Sequence, residues 1–413
     1  MNILVVSESI YNKGVVYDLH KISEGLAVRG HKVFILDPGD KIGETNSFDQ
    51  INRLGNVKGN VRLISPSLPS LTYNFFGFKN ISKATNWFLN RKIRMEYLIY
   101  AFNQSKCDVV LLYSGIRLGP ECVRLSKKRN IPVVFRNVDK LYNLTPNNLQ
   151  QIISIYREHK TYQKIYSSLA LTPSYRDYLI ELGANPKTSI ITPFPIDTRK
   201  FSPKNKSDYK TAGKIGVPKE FLSSKIIVFV GTFYEFGGLA RLIISARDAV
   251  EQGLKFRLLL VGDGPIKEDL DRLVSQFNLN KYVHITGYLP FELMPQCINL
   301  AEVCINVFPV NARTNDIFSA KIIQYLACGK PVVSSNLSGI RRALSTEETG
   351  VIYQDDIDKV LLTAISLLNQ EDVCKMIGKK GRGYVLNNHK VDLVLEIVEE
   401  SLRSAHKSRL API

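Results

Sequence analysis

Short apolar runs alternate with amphipathic stretches along this chain, and the alternation starts twice. Asn2 to Ser7 is an apolar strand. After a loop holding Gly14, a helix sets Val15, Val16, Leu19, Ile22 and Leu26 on one face, and Gly30 ends it before the strand His31 to Leu36. This βαβ unit predicts a parallel sheet with right-handed crossovers. Strands are expected at Val61 to Ile64, Asp108 to Leu112, Pro132 to Phe135, Ser168 to Leu171 and Ser189 to Thr192, with helices at Leu118 to Arg129, 146–166 and Ser174 to Leu182. Pro193 to Pro218 carries four prolines and many lysines and reads as a hinge. The same grammar then restarts. Strands at Ile226 to Val230, Phe256 to Val261, Val283 to Ile285 and Val303 to Val307 alternate with helices, and the chain from Asp355 to about Ser404 is mostly helical. The expectation is an α/β chain of two doubly wound, Rossmann-like domains facing across a cleft, 1–203 and 204–389.

Thr314 to Ser335, TNDIFSAKIIQYLACGKPVVSS, concentrates the candidate chemistry. Ser319 is placed to cap a helix beginning at Ala320, Gly329 to end it in a left-handed conformation, and PVVSS to follow as a buried strand. Lys321 falls in the first turn, where the macrodipole disfavours a cation unless an anion is bound there. Gln324, three residues on, shares its face. Two readings fit: a diphosphate-seeking lysine beside a hydroxyl-seeking amide, or a solvated lysine and an ordinary surface glutamine on a core helix.

With 413 residues, two or three domains with full cores are expected. The net charge of +17 implies attraction to phosphates, on nucleotides, nucleic acid or anionic lipid. Its cations are dispersed rather than gathered in a recognised motif, which weighs against nucleic acid. The six cysteines form no CxxC pair and read as buried free thiols of a reducing compartment. A strand beginning at Asn2 leaves no room for a signal peptide, and no apolar run reaches the ~20 residues of a membrane span. The expected location is cytoplasmic and, at most, peripheral on the membrane. Tyr73 to Arg94 fits such contact, with Phe75, Phe76, Phe78, Trp87 and Phe88 interleaved with Lys79, Lys83, Arg91, Lys92 and Arg94. The alternative is that these aromatics fill the core, since Ile81, Ala84, Phe88, Met95, Leu98 and Phe102 follow a helical period.

Four segments in order, VGTFYEFGGLARLIISA, LLLVGDGP, ITGYLP and KIIQYLACGKPVV, together with RGHKV, LTPS and PIDTRKFSP in the first half, resemble the nucleotide-sugar-dependent glycosyltransferases of family 4. The resemblance implies a GT-B fold, retention at the anomeric carbon, a nucleotide sugar such as a UDP- or GDP-sugar on the C-terminal domain and an acceptor on the N-terminal one. It also implies that the last helix, about 390–406, packs back on the first domain. Gly231, Thr232, Gly264, Arg313, Asp316, Phe318, Ser319, Lys321 and Gln324 become donor-side candidates; Gly14 and Arg136 become acceptor-side candidates. Asp139 and Lys321 are the catalytic candidates.

The chain departs from the commonest form of that family. Thr232 and Gly237 stand where an Arg and a Lys usually hold the diphosphate. Lys321 instead matches a subgroup with the pattern K-x-x-E/Q-Y-x-A-x-G-K-P. Asp316 and Gln324 align with the family's paired glutamates, and Gln324 keeps one carbonyl acceptor for a ribose hydroxyl. Lys321, with Arg313 and the N–H groups around Phe318 and Ser319, is placed to stabilise a leaving diphosphate. Asp139 either orients or deprotonates an acceptor hydroxyl or caps the next helix. No DxD motif marks a metal site, so metal independence is expected. Asp355, Asp356 and Asp358 read as a solvated helix start, and His284 and His389 as structural. Three activities remain: transfer to a lipid-linked or membrane-proximal glycan, epimerisation of a sugar nucleotide on the same fold, or nucleic-acid binding.

Overall fold

The computed structural model describes residues 1–7, 11, 17–36, 61–64, 83–140, 148–204 and 215–410, without side chains at 17, 83–90, 93, 148–149 and 410. It divides into two units, Met1–Pro195 with Val391–Ile413, and Ile196–Lys390.

Unit 1 carries β1 (Asn2–Val6), β2 (Lys32–Leu36), β3 (Val61–Ile64), β4 (Val109–Leu112), β5 (Val133–Asn137), β6 (Ser167–Ala170) and β7 (Ser189–Ile191), in the order β3-β2-β1-β4-β5-β6-β7. The described pairings are parallel. Parallel sheets are covered on both faces, and the continuous run VVLL of β4 is accordingly buried throughout. The helix Tyr17–Val28 buries Leu19, Ile22 and Leu26 against Val5 and Val33, as their spacing demands. Val394, Leu395, Val398 and Leu402 of the helix Val391–Leu410 join the same core. Each such side chain, fully buried, contributes about 1.5–3 kcal/mol. Arg29 and His31 fix that helix further through Glu399, each at 3.0 Å.

Unit 2 carries β8 (Ile226–Val230), β9 (Arg257–Val261), β10 (Val283–Ile285), β11 (Val303–Asn306), β12 (Val332–Ser335) and β13 (Ile352–Gln354), in the order β10-β9-β8-β11-β12-β13. Leu242, Ile243 and Ala246 of the helix Leu239–Glu251 pack on Ile227, Phe229, Leu258 and Leu260. Three differences from the sequence reading matter. β13 was not anticipated: it is a half-buried three-residue edge strand, too short for periodicity to reveal. β5 runs two residues beyond Phe135, drawing Arg136 and Asn137 inside the sheet. The helix read at 146–166 is shorter, Asn148–Tyr162.

Among the described residues no helix is long and apolar enough to cross a membrane. Tyr73 to Ser82 lie outside the described residues. Of the cations next to them, Arg94 lies 3.5 Å from Glu121, a carboxylate it shares with Arg157, while Lys92 is exposed. The Lys83–Ser105 helix buries Leu98 and Phe102, so the helical period does face inward there.

Candidate functional site

Open parallel sheets receive ligands beyond the carboxyl ends of their strands, where strand order reverses. In unit 2 that reversal lies between β8 and β11. Phe229 is the penultimate residue of β8, and Phe308 follows the end of β11 by two residues. The Ala320–Ala327 helix places Lys321 in its first turn, and the ammonium sits 4.1 Å from the centroid of the Phe229 ring and 5.7 Å from that of Phe308. The ring faces attract the cation electrostatically, worth about 0.5–2 kcal/mol. Among the described residues it has no hydrogen bond and no carboxylate partner. Removal from water without a counter-charge disfavours the charged form, and its pKa falls from 10.5 to about 7. Gly231 makes room for it: its φ is +153°, and a Cβ there would stand 2.6 Å from Nζ.

The helix is built as its sequence predicts at one end and not at the other. Gly329 is left-handed at φ +68°, with Lys330 N–H donating to the Tyr325 carbonyl at 3.1 Å and Gly329 N–H to that of Leu326 at 2.9 Å. These paired bonds close the C-terminus. Ser319 precedes the first turn, but its hydroxyl donates to Asn306 Oδ1 at 2.7 Å instead of capping, so among the described residues no side chain caps the first-turn N–H groups. Asn306, buried at the end of β11, draws the hydroxyl away through its own bond to Ser334. Gln324 is 9% exposed, and its amide has no hydrogen-bond partner among the described residues.

The loop before the helix is pinned by its own polar groups. Asn311 Oδ1 accepts from the N–H of Arg313 at 3.0 Å and of Thr314 at 3.2 Å. Gly339 packs on the backbone of Asp316, and its N–H donates to the Asn315 carbonyl. Asp316 and Phe318 are half-buried within this loop. The Arg313 guanidinium lies 4.9 Å over the Phe236 ring, which itself stacks on Tyr234. Thr232 is exposed on the loop after β8. Gly264 lies against the backbone of Phe233, 2.5 Å from its carbonyl oxygen to a built Cβ, so it serves close packing of the β8 and β9 loops.

In unit 1 the acceptor-side candidates separate. Arg136 is 0% exposed. Its Nε donates to Asp18 Oδ1 at 3.2 Å and Nη2 to Asp18 Oδ2 at 2.6 Å and to Pro193 O at 3.1 Å. Nη1 donates to the carbonyls of Thr192 at 2.5 Å and Leu169 at 3.4 Å. All five guanidinium donors are engaged, so Arg136 is a strut of the sheet and not an acceptor ligand. Asp139 is half-buried, accepting from Lys140 N–H at 2.8 Å and Tyr175 OH at 3.2 Å. Burial raises its pKa, partly opposed by these two bonds. Gly14 lies outside the described residues. The LTPS motif has a structural use, since Thr172 caps the Pro173–Glu181 helix through Tyr175 N–H. Sequence reasoning missed Phe229, Phe308 and Phe236, the rings under the two cations; a phenylalanine at the carboxyl end of each switch-point strand was the available signal.

The architecture, two doubly wound parallel sheets, is that of GT-B proteins. The Anabaena protein HepE, solved in complex with UDP and glucose, superposes with a TM-score of 0.70 at 14% identity, covering 98% of this chain and 100% of that one. Residues 224–370 match the family model described as glycosyl transferases group 1. The chain is 22% identical over 260 residues to the colanic acid biosynthesis glycosyltransferase WcaL of Escherichia coli, described as putative, covering 62% of this chain and 60% of that protein. It is 21% identical over 337 residues to alpha-monoglucosyldiacylglycerol synthase of Acholeplasma laidlawii, covering 78% of this chain and 76% of that enzyme. The chain spans 32–60% of the length of most of the curated relatives it matches.

Proposed function

We propose that the chain is a retaining glycosyltransferase of family 4, moving a sugar from a nucleotide-diphosphate sugar to a lipid-linked or membrane-proximal glycan. One observation carries this reading: the Lys321 ammonium, held on two aromatic faces at the strand-order reversal of unit 2 with no anion of its own among the described residues. A half-buried cation without a counter-charge is stabilised by an incoming diphosphate, and the uncapped helix N-terminus favours the same charge. As the glycosidic bond breaks, negative charge grows on the leaving diphosphate, and Lys321 stabilises it where it develops. Arg313 is the second donor-side cation. Gln324, buried and without a hydrogen-bond partner among the described residues, is the group for a ribose hydroxyl.

On unit 1, Asp139 is the group proposed to orient or deprotonate the acceptor hydroxyl; its burial raises its pKa and so makes the carboxylate a stronger base. The nucleotide-bound HepE structure supports a UDP-sugar donor, and the Acholeplasma synthase supports a lipid acceptor. A cytoplasmic enzyme, peripheral on the inner membrane face through the stretch around Tyr73 to Arg94, fits that acceptor. The reaction is proposed to need no metal; loss of activity in EDTA, restored by Mg²⁺ or Mn²⁺, would refute that clause. The test of the whole reading is a panel of nucleotide sugars screened by thermal shift and then by hydrolysis. A nucleotide sugar should raise the melting temperature of the wild type and not of Lys321→Ala. Stabilisation by DNA alone, or donor epimerisation without transfer, would replace the reading.

A further inference from the structure

Unit 1 has a cavity of about 360 Å³ at the edge of its sheet opposite the carboxyl ends, beside the start of β5. Its volume lies in the range of small-molecule sites, roughly 300–1,000 Å³. Three cations line it: Lys127 and Arg409 from two helices, and Lys164 just past the end of a third. Among the described residues none of the three has a carboxylate partner. Ser126 lines it too, 1% exposed, with its hydroxyl beside the Cys122 thiol. Ile131 and Val133 supply apolar wall.

Lysines in the last turn of a helix commonly complement its dipole, and the helices Gly119–Lys128, Asn148–Tyr162 and Val391–Leu410 all end at this cavity. Each helix end carries roughly half a negative charge, so three ends offset about half of three full positive charges. A net positive charge remains around the cavity. We propose that this cavity is a second anion site, taking the phosphate group of a small organic phosphate. It lies in the unit that does not carry Lys321, and it stands whether or not the donor reading above does.

The phosphate can belong to a soluble molecule or to a lipid headgroup, and two arms separate these. In the first, inorganic pyrophosphate is titrated calorimetrically into the full chain carrying Lys321→Ala and Arg313→Gln, which removes both donor-side cations of unit 2. Binding is expected, and adding Lys127→Gln, Lys164→Gln and Arg409→Gln should weaken it at least tenfold. In the second, vesicles of phosphatidate in phosphatidylcholine replace pyrophosphate; a tenfold loss here alone makes the headgroup the source. Neutralising Lys219, Lys255 and Lys281, exposed cations of unit 2, is the control for bulk charge. Lys127→Arg with Lys164→Arg, which keeps both charges, should retain binding. Absence of binding in both arms, no effect of the three Gln substitutions, or an equal effect of the control set would overturn the proposal.

Discussion

Each unit places a cation near the carboxyl ends of its sheet, and the two are handled in opposite ways. Arg136 of unit 1 is wholly buried, ion-paired with Asp18, and has all five donors engaged. Lys321 of unit 2 is half-buried, lies on phenylalanine rings, and has no anion among the described residues. Sequence position alone ranked both as ligand-binding candidates. The difference lies in donor accounting: a cation whose hydrogen bonds are complete stabilises the fold, and one left incomplete is available to a ligand.

The largest expected effect tests the first half of that contrast. Arg136→Ala leaves Asp18 buried without its counter-charge and should destabilise unit 1 by about 3–5 kcal/mol, read as a lower urea midpoint. Adding Asp18→Asn should recover part of the loss, because the stranded charge goes with it. A variant within about 1 kcal/mol of wild type would mean that Arg136 is not a strut.

Lys321→Ala should do the reverse. Folding stability should hold or rise, since an unpaired, desolvated charge is removed. Donor affinity should fall by about 2–3 kcal/mol, the worth of a charge-assisted bond, measured by calorimetry with the best nucleotide sugar of the panel. Unchanged donor binding in a folded variant would place the diphosphate elsewhere.

Gln324→Leu should weaken nucleotide binding by about 1–2 kcal/mol, because a ribose hydroxyl would lose its partner. Gln324→Glu keeps an acceptor and should bind nearly as well. Normal binding by the Leu variant would make Gln324 a core residue of its helix.

The alternation of apolar runs and helical periods was enough to read both sheets, because parallel strands buried on two faces leave continuous Val, Ile and Leu runs. Their ends were less legible. The apolar run of β5 stops at Phe135, and the two further residues of the strand turn Arg136 from an edge cation into an interior one. Nothing local announces that, since its partner Asp18 lies 118 residues away. Ser319 shows the same limit: a hydroxyl before a helix is a cap by local rules, but Asn306, thirteen residues earlier, takes its hydrogen bond. Lys321 was legible because the relevant physics, a cation at the positive end of a helix, is itself local. The rings beneath it were not, since Phe229 and Phe308 meet it only once the sheet has formed.

The smallest effect is a pH dependence that separates the two cations again. Burial has lowered the Lys321 pKa to about 7, so near neutrality the free enzyme holds a mixture of ammonium and amine. Only the ammonium attracts the donor diphosphate. As pH falls below 7 the charged form dominates and affinity should be greatest; as pH rises above 7 it should decline, by about tenfold per pH unit at most once the amine predominates. A nucleotide sugar suits the measurement, because its diphosphate has no ionisation of its own in this range. Lys321→Arg stays charged throughout and should flatten the profile between pH 6 and 8. Arg136 cannot contribute to such a profile, because a guanidinium does not titrate there. A wild-type profile that stays flat, or one that Lys321→Arg leaves unchanged, would show that donor binding does not depend on the protonation of Lys321.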